Sequence, residues 1–235
     1  MHGSTPIDGS APFDNGMVSI PELIPVFPLP EVVLLPGEVL PLHIFEKRYR
    51  SMVRDALSGH RVIGMVEYDT SGVFTTTPIP PIRDLGCAGF IAEHRELPDG
   101  RFLLWLLGLE RFSIDEEIAV DTLYRQVRVT YTPIDESSAA AAGLQPVRRE
   151  LQRVLPKLVD LDEEGRLSLT NQISEITDSQ LIALACQILE LPTEHKRELL
   201  LADSQIDRFM LVYKELYRHL DENPGIDNTP PATLN

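Results

Sequence analysis

Six prolines fall within the 21 residues from Pro21 to Pro41. Proline fixes φ and offers no backbone N–H, so neither a long helix nor a central strand can run unbroken through such a stretch. Between the prolines lie three apolar runs, Ile24 to Leu29, Val32 to Leu35 and Val39 to Ile44. Short strands fit this pattern, and they should sit at sheet edges or carry bulges. Pro36-Gly37, between the second and third runs, predicts a type II turn in which proline presets φ and glycine takes φ > 0. Leu40, Leu42 and Ile44 alternate with Val39, Pro41 and His43, which is the period of a strand.

A short helix should follow, because Phe45, Tyr49, Met52, Val53 and Ala56 recur at helical spacing. Glu46 and Arg50 stand at i and i+4, and Gly59 marks a stop. Arg61 to Tyr68 reads as a strand, and 69–86 as a long loop. Cys87 to His94 and Phe102 to Leu109 flank Leu97-Pro98-Asp99-Gly100, a hairpin signal. The second of these strands is apolar on both faces, which predicts two-sided burial with Trp105 in the core. Gln126 to Thr132 alternates Val127, Val129 and Tyr131 with Arg128 and Thr130 and reads as the last strand.

After Pro133 the apolar period becomes helical. Leu144, Val147, Leu151, Leu155 and Leu158 form one stripe, which Gly143, Pro146 and Pro156 should break or bend. A second stripe, Leu181 to Leu189, follows Asp178. Thr193 to Leu201 reads as a third helix with Thr193 as its N-cap. Ile206, Phe209, Met210, Tyr213, Leu216, Tyr217 and Leu220 form the last, with Ser204 and Asp207 at the spacing of a capping box. Strands followed by helices predict an α+β chain. Residues 1–20 and 221–235 are polar and aperiodic and read as flexible tails around a β-rich part, 21–133, and a helical part, 134–220.

Composition narrows the function classes. The net charge is −15, from 36 acidic and 21 basic residues, and the basic ones are scattered rather than clustered. Nucleic acid is therefore a poor partner, since phosphate binding needs grouped lysine and arginine. The longest apolar run, Phe102 to Leu109, is far short of the roughly 20 residues of a membrane span. No signal peptide is visible, so a cytoplasmic protein is expected. Cys87 and Cys186 form no C-x-x-C pair and read as buried thiols.

Catalytic signatures are missing from the sequence. It has no G-x-x-x-x-G-K-[ST] phosphate loop, no H-E-x-x-H and no G-x-S-x-G. No two of the six histidines stand three or four apart, so neither a catalytic residue, a metal site nor a cofactor is expected. His43 and Glu46 beside Arg48 and Arg50 invite an acid–base reading, but an outward His43 and a Glu46–Arg50 pair explain them more simply.

The segment from Ile24 to Glu46 closely resembles the opening of the Lon N-terminal domain, with Pro28-Leu29, Val32 to Leu35, Pro36-Gly37 and Pro41-Leu42 in the family's order. Leu85-Gly86-Cys87-Ala88-Gly89 resembles its glycine-containing strand, and Gly108-Leu109-Glu110-Arg111-Phe112 its Gly-x-x-Arg-Phe ending. The likeness covers roughly residues 22–220. Phe45 to Arg50 looks more like stand-alone members of the family than like the protease.

The resemblance implies a PUA-like pseudo-barrel with one helix, followed by a helical bundle, and a non-catalytic module that binds unfolded or extended polypeptides. A protein–protein adaptor for a protease, a chaperone or another complex is the alternative. An RNA-binding role has only the PUA-like fold in its favour. Neither an ATPase nor a protease module is expected in these 235 residues. A cleft between the two parts is the expected ligand site. Phe74, the large aromatic in the 69–84 loop, is the candidate contact.

Overall fold

The computed structural model describes residues 20–69, 80–134 and 138–223. Phe74 and nearly all of both expected tails lie outside the described residues. The strands are β1 (Leu23–Leu29), β2 (Val39–Ile44), β3 (Val62–Tyr68), β4 (Ile82–Glu96), β5 (Phe102–Ile118) and β6 (Arg125–Tyr131), with helix α1 (Lys47–Ser58) between β2 and β3. The helices α2 (Ser138–Leu158), α3 (Glu163–Glu175), α4 (Asp178–Ile188), α5 (Thr193–Leu201) and α6 (Gln205–Glu222) follow. The architecture is α+β, as the order of patterns predicts.

Strands β1, β3, β4, β5 and β6 close into a ring, because β6 pairs with both β1 and β5. Closure removes the edges that an open sheet would expose. The expected edge position of the first proline-containing strand is therefore wrong in form. Leu23 to Val26 pair with β6 and Val26 to Leu29 pair with β3, so β1 changes partner at Val26. Pro25 and Pro28 fall on opposite sides of that change, where each needs to satisfy only one neighbour. β2 does lie at an edge, paired only with the first half of β5, and it carries Pro41. Val32 to Leu35 forms no strand. Its residues 33–35 are buried as irregular chain under the bundle.

One face of the ring points inward. Ile24, Val26, Val62, Val66, Ala88, Phe112, Val127 and Val129 fill the barrel. Gly64 and Gly86 leave the room that the Phe112 ring takes. The other face packs under α1 and the bundle in a larger core that includes Phe27, Leu34, Leu35, Met52, Val53, Ile91, Leu104, Leu106, Leu151, Leu181 and Leu216.

Several local expectations need correction. β4 starts at Ile82, opposite Tyr68, so the long loop is shorter than its composition suggests. Trp105 is 38% exposed, because β5 alternates buried Leu104 and Leu106 with outward Leu103, Trp105 and Leu107. Phe45 is 63% exposed and outside the core. Glu46 accepts from Arg48 rather than Arg50, whose guanidinium instead reaches the Asp99 carbonyl at 3.1 Å. Pro146 and Pro156 lie within an unbroken α2. Pro192, not Thr193, occupies the N-cap position of α5, without a side-chain cap bond, and the Thr193 hydroxyl donates to the Glu31 carbonyl at 2.8 Å. Helix α3 has no counterpart in the sequence reading, since Ile173 is its one buried residue.

The barrel and the bundle are joined through α5. Lys196 pairs with buried Glu38 at 2.7 Å, and Arg197 makes a two-pronged pair with Glu67 at 2.7 Å. Arg111 of β5 donates to the carbonyls of Leu200, Leu201 and Ala202 at 3.2, 3.4 and 2.9 Å, where α5 ends. A cation there meets the negative end of the helix dipole. The Gly-x-x-Arg-Phe block thus has a physical meaning: Arg111 locks the bundle to the barrel while Phe112 fills it.

Candidate functional site

A cleft of about 500 Å³ opens where the 36–37 turn, β5 and the start of α4 meet. This is within the usual size of ligand sites, roughly 300–1,000 Å³. Ile20, Pro36, Leu107 and Leu109 supply apolar wall, Thr177, Ser179 and Gln180 a polar rim, and Glu110 a carboxylate.

Each wall is fixed by local chemistry. The Pro36-Gly37 turn forms as the sequence predicts, with Gly37 at φ +81° and the Glu38 N–H donating to the Leu35 carbonyl at 3.0 Å. A Cβ on Gly37 would come within 2.8 Å of the Gln180 backbone nitrogen, so the turn presses directly on α4. A Cβ on Gly108 would meet the Leu35 carbonyl at 2.1 Å, so only glycine lets the turn approach β5 this closely. The approach is bonded in both directions: Gly37 N–H donates to Gly108 C=O at 2.9 Å, and Gly108 N–H to Glu38 C=O at 2.8 Å. Glu38 also accepts the Leu35 N–H at 3.0 Å with the carboxylate that holds Lys196. On the far side, Thr177 caps α4 in a reciprocal box with Gln180, and Arg148 of α2 pairs with Asp178.

β5 changes neighbour at this cleft. Its pairing with β2 ends at Val39–Leu107, and its pairing with β6 begins at Phe112–Tyr131. Leu107 also belongs to the outer face of the β2–β5 sheet. There Val39 stands opposite Leu107, Pro41 opposite Trp105 and His43 opposite Leu103. Val39 is 44% exposed, and Phe45 extends the same apolar surface beyond His43. The cleft and this face therefore share Leu107, and exposed Glu93 and Arg95 of β4 border the face opposite Trp105 and Leu103.

Burial pushes the Cys186 thiol up to about 12 and the Cys87 thiol higher still, so neither is a ready nucleophile. Arg208 of α6 is fully buried, and burial lowers its pKa, with the Arg111 charge adding to the effect. Among the described residues, no cluster of three histidine, cysteine or acidic side chains could hold a metal. No described helix is long and apolar enough to cross a membrane.

Phe74 lies outside the described residues. The base of its loop, closed by Asp69 N–H to Pro81 C=O at 2.8 Å, borders a separate hollow of about 70 Å³ lined by Pro28, Arg48, Tyr49, Tyr68 and Pro80. His43 is exposed, as expected. Sequence reasoning picked out Pro36-Gly37 and Gly108 as turn and family markers without seeing that they build the cleft. It also assigned Trp105 to the core.

The family model for the ATP-dependent protease La (LON) substrate-binding domain matches residues 23–218. The Lon protease of Dictyoglomus thermophilum is 30% identical over 148 residues, 63% of this chain and 18% of its own length. Lon protease 2 of Myxococcus xanthus is 24% identical over 205 residues, 85% of this chain and 24% of its own. The chain thus spans less than a quarter of the length of these relatives. Among solved structures, the N-terminal domain of a Mycobacterium avium complex Lon protease aligns over 84% of this chain and all of its own, with a TM-score of 0.62 and 17% identity. A Lon N-terminal domain protein from Xanthomonas campestris aligns over 82% of this chain and 97% of its own, with a TM-score of 0.55 and 22% identity. At these identities the two structures establish the fold.

Proposed function

Since this chain belongs to the family of the LON substrate-binding domain, we propose that it is a non-catalytic module that binds unfolded or extended polypeptides, in the cleft beside α4 and along the outer face of β2 and β5. The observation that carries the reading is that Leu107 belongs both to the apolar wall of the cleft and to the outer face where Val39 and Trp105 are exposed. A folded partner presents few apolar side chains in a row, whereas an extended chain can lay one in the cleft and others against Trp105 and Val39. Two or three such anchors, each stabilising by about 1.5–3 kcal/mol and offset by the cost of association, give an affinity in the region of micromolar. Phe74 remains a proposed contact.

The bonds from α5 to the barrel support a preformed site. Four connections, at Glu31, Glu38, Glu67 and Arg111, tie the bundle to the barrel, and the bonds between Gly37, Glu38 and Gly108 fix two of the cleft walls to each other, so little binding energy is needed to shape them. The net charge of −15 argues against a phosphate backbone as ligand.

The test is fluorescence anisotropy with a dye-labelled, reduced and carboxymethylated protein that cannot fold. Parent protein should saturate the signal in the micromolar range. Ser179→Trp, which puts bulk into the cleft, and Trp105→Ala should each weaken binding about three- to tenfold. Binding unaffected by both changes would place the ligand elsewhere. A single stoichiometric partner in place of general unfolded-chain binding would favour the adaptor reading.

A further inference from the structure

We propose that the hollow of about 70 Å³ at the start of α1 is a binding site for a carboxylate, separate from the cleft beside α4 and independent of the polypeptide reading.

The hollow lies where four elements meet. Pro28 comes from β1, Arg48 and Tyr49 from the first turn of α1, Tyr68 from the last position of β3, and Tyr124 and Arg125 from the entry to β6. Pro80 and Leu123 complete the wall.

Two of these residues carry donors that the protein does not match. Arg48 donates to Glu46 through Nε, at 2.9 Å, and among the described residues its two terminal nitrogens make no bond. Those two nitrogens are a fork that a carboxylate meets with two parallel bonds. The guanidinium lies over the Tyr49 ring, 4.4 Å from its centre, and this stacking restrains the fork. Tyr49 is 4% exposed, and its hydroxyl is buried without a hydrogen-bond partner. The ring also packs on Phe27, with the centres 4.4 Å apart, so it is held in place. Buried polar atoms in folded proteins almost always have a partner. An orphan donor on a residue that lines a hollow therefore points to an acceptor from outside the chain. Burial, helped by the neighbouring Tyr68 phenol, raises the Tyr49 pKa, so the hydroxyl keeps its proton and can donate at neutral pH.

The other polar groups of the wall are engaged with the protein. Tyr124 donates to Asp55 at 2.7 Å. Arg125 holds Glu117 with two nitrogens, at 2.7 and 2.5 Å, and the Pro80 carbonyl with the third, at 2.9 Å. They frame the site, and Arg48 and Tyr49 supply its unmatched donors.

Charge and shape select the ligand. Glu46 and Glu117 already offset the two arginines, so the hollow favours a single further negative charge. A phosphate group carries about −1.5 to −2 and would meet those carboxylates. A carboxylate carries one charge and is planar like the fork. Its apolar stem would pass Pro28, Pro80 and Leu123, the last of them 60% exposed. The space admits the carboxylate and a few carbons. The carboxylate belongs either to a small organic acid or to the free C-terminus of a chain whose body stays outside. One fork on so small a ligand gives a dissociation constant of about a millimolar.

The test is NMR of the full chain carrying 13C in its tyrosine rings, with sodium butyrate titrated at constant ionic strength. Of the six tyrosines, Tyr49, Tyr68 and Tyr124 line the hollow. Their signals should shift and saturate at low millimolar butyrate, while those of Tyr131, Tyr213 and Tyr217 stay in place. Arg48→Gln and Arg48→Lys should each weaken binding about tenfold or more, since neither keeps the fork. Tyr49→Phe should weaken it about three- to tenfold without lowering the melting temperature, because the hydroxyl it removes has no partner in the free protein. No saturating shift below about 50 mM butyrate, or equal binding by the folded Arg48 variants, would overturn the proposal. Inorganic phosphate binding as tightly as butyrate would overturn the choice of a carboxylate. Two peptides of one sequence, with a free and an amidated C-terminus, separate the sources. Tighter binding of the free acid than of butyrate supports a chain end, and binding of butyrate alone supports a small acid. An amidated peptide that binds as well as the free one would overturn the role of the carboxylate.

Discussion

Replacing Arg111 with alanine should loosen the bundle from the barrel. The side chain is buried, and its guanidinium donates to the carbonyls of Leu200, Leu201 and Ala202 and, at 2.7 Å, to that of Thr132. Its pair with Asp203 adds little, because that carboxylate is almost fully exposed. The carbonyl contacts dominate. Charge-assisted bonds to buried acceptors contribute about 1.5–3 kcal/mol each, and they do not add, because one side chain makes all of them. The loss is offset in part by relief of Arg208, which sits fully buried within the field of Arg111. A net cost of about 3 kcal/mol results, or roughly 6–12 °C in a domain of this size. Lysine keeps the charge without the planar fork and should recover about half of the loss. Differential scanning calorimetry of the parent, Arg111→Ala and Arg111→Lys measures this. A fall of less than about 2 °C for alanine would refute the argument, and full recovery by lysine would show that charge rather than geometry matters.

Glu150 of α2 accepts from Arg153 at 2.7 Å and from the Tyr217 hydroxyl at 3.0 Å, and these bonds hold its pKa below the ordinary glutamate value of 4.5. The stability it contributes is present above that value and is lost as pH falls through the lowered one; Glu150→Gln should therefore destabilise the protein at pH 7 and flatten its acid unfolding curve. Burial raises the Cys186 thiol from 9.0 to about 12, so its contribution is complete below pH 9 and is lost as pH rises towards 12. Cys186→Ala should flatten the alkaline limb, and both thiols should resist a disulfide-exchange reagent at pH 8 until the protein unfolds.

Much of the fold was legible because its signals are local. The Pro36-Gly37 turn, the Gly100 hairpin and the Ser204 cap each follow from the conformational preferences of one or two residues, and each formed. What was missed depends on tertiary partners. Trp105 looked like core because its neighbours are all leucine, yet strand alternation sends it outward, where it is 38% exposed. The partner change in β1 depends on how β6 closes the ring, which no spacing within 23–29 reveals. Helix α3 buries only Ile173, too little for an apolar stripe, although Asp162 accepting from the Gly165 N–H at 2.8 Å gave it a cap that the sequence does carry. The cleft was expected between the two parts, but its walls come from residues 36–37, 107–110 and 177–180, which lie far apart in the chain.

Trp105 is the single tryptophan of the chain and stands on the proposed binding face. Its emission therefore reports directly on that face when an unfolded, tryptophan-free polypeptide is titrated in. The account predicts a blue shift that saturates in the micromolar range with no change in the secondary structure, and binding, read separately by anisotropy, that Ser179→Trp weakens. Emission that stays constant up to about a millimolar polypeptide, while binding is detected by another probe, would contradict the placement of the site on β2, β5 and the adjoining cleft.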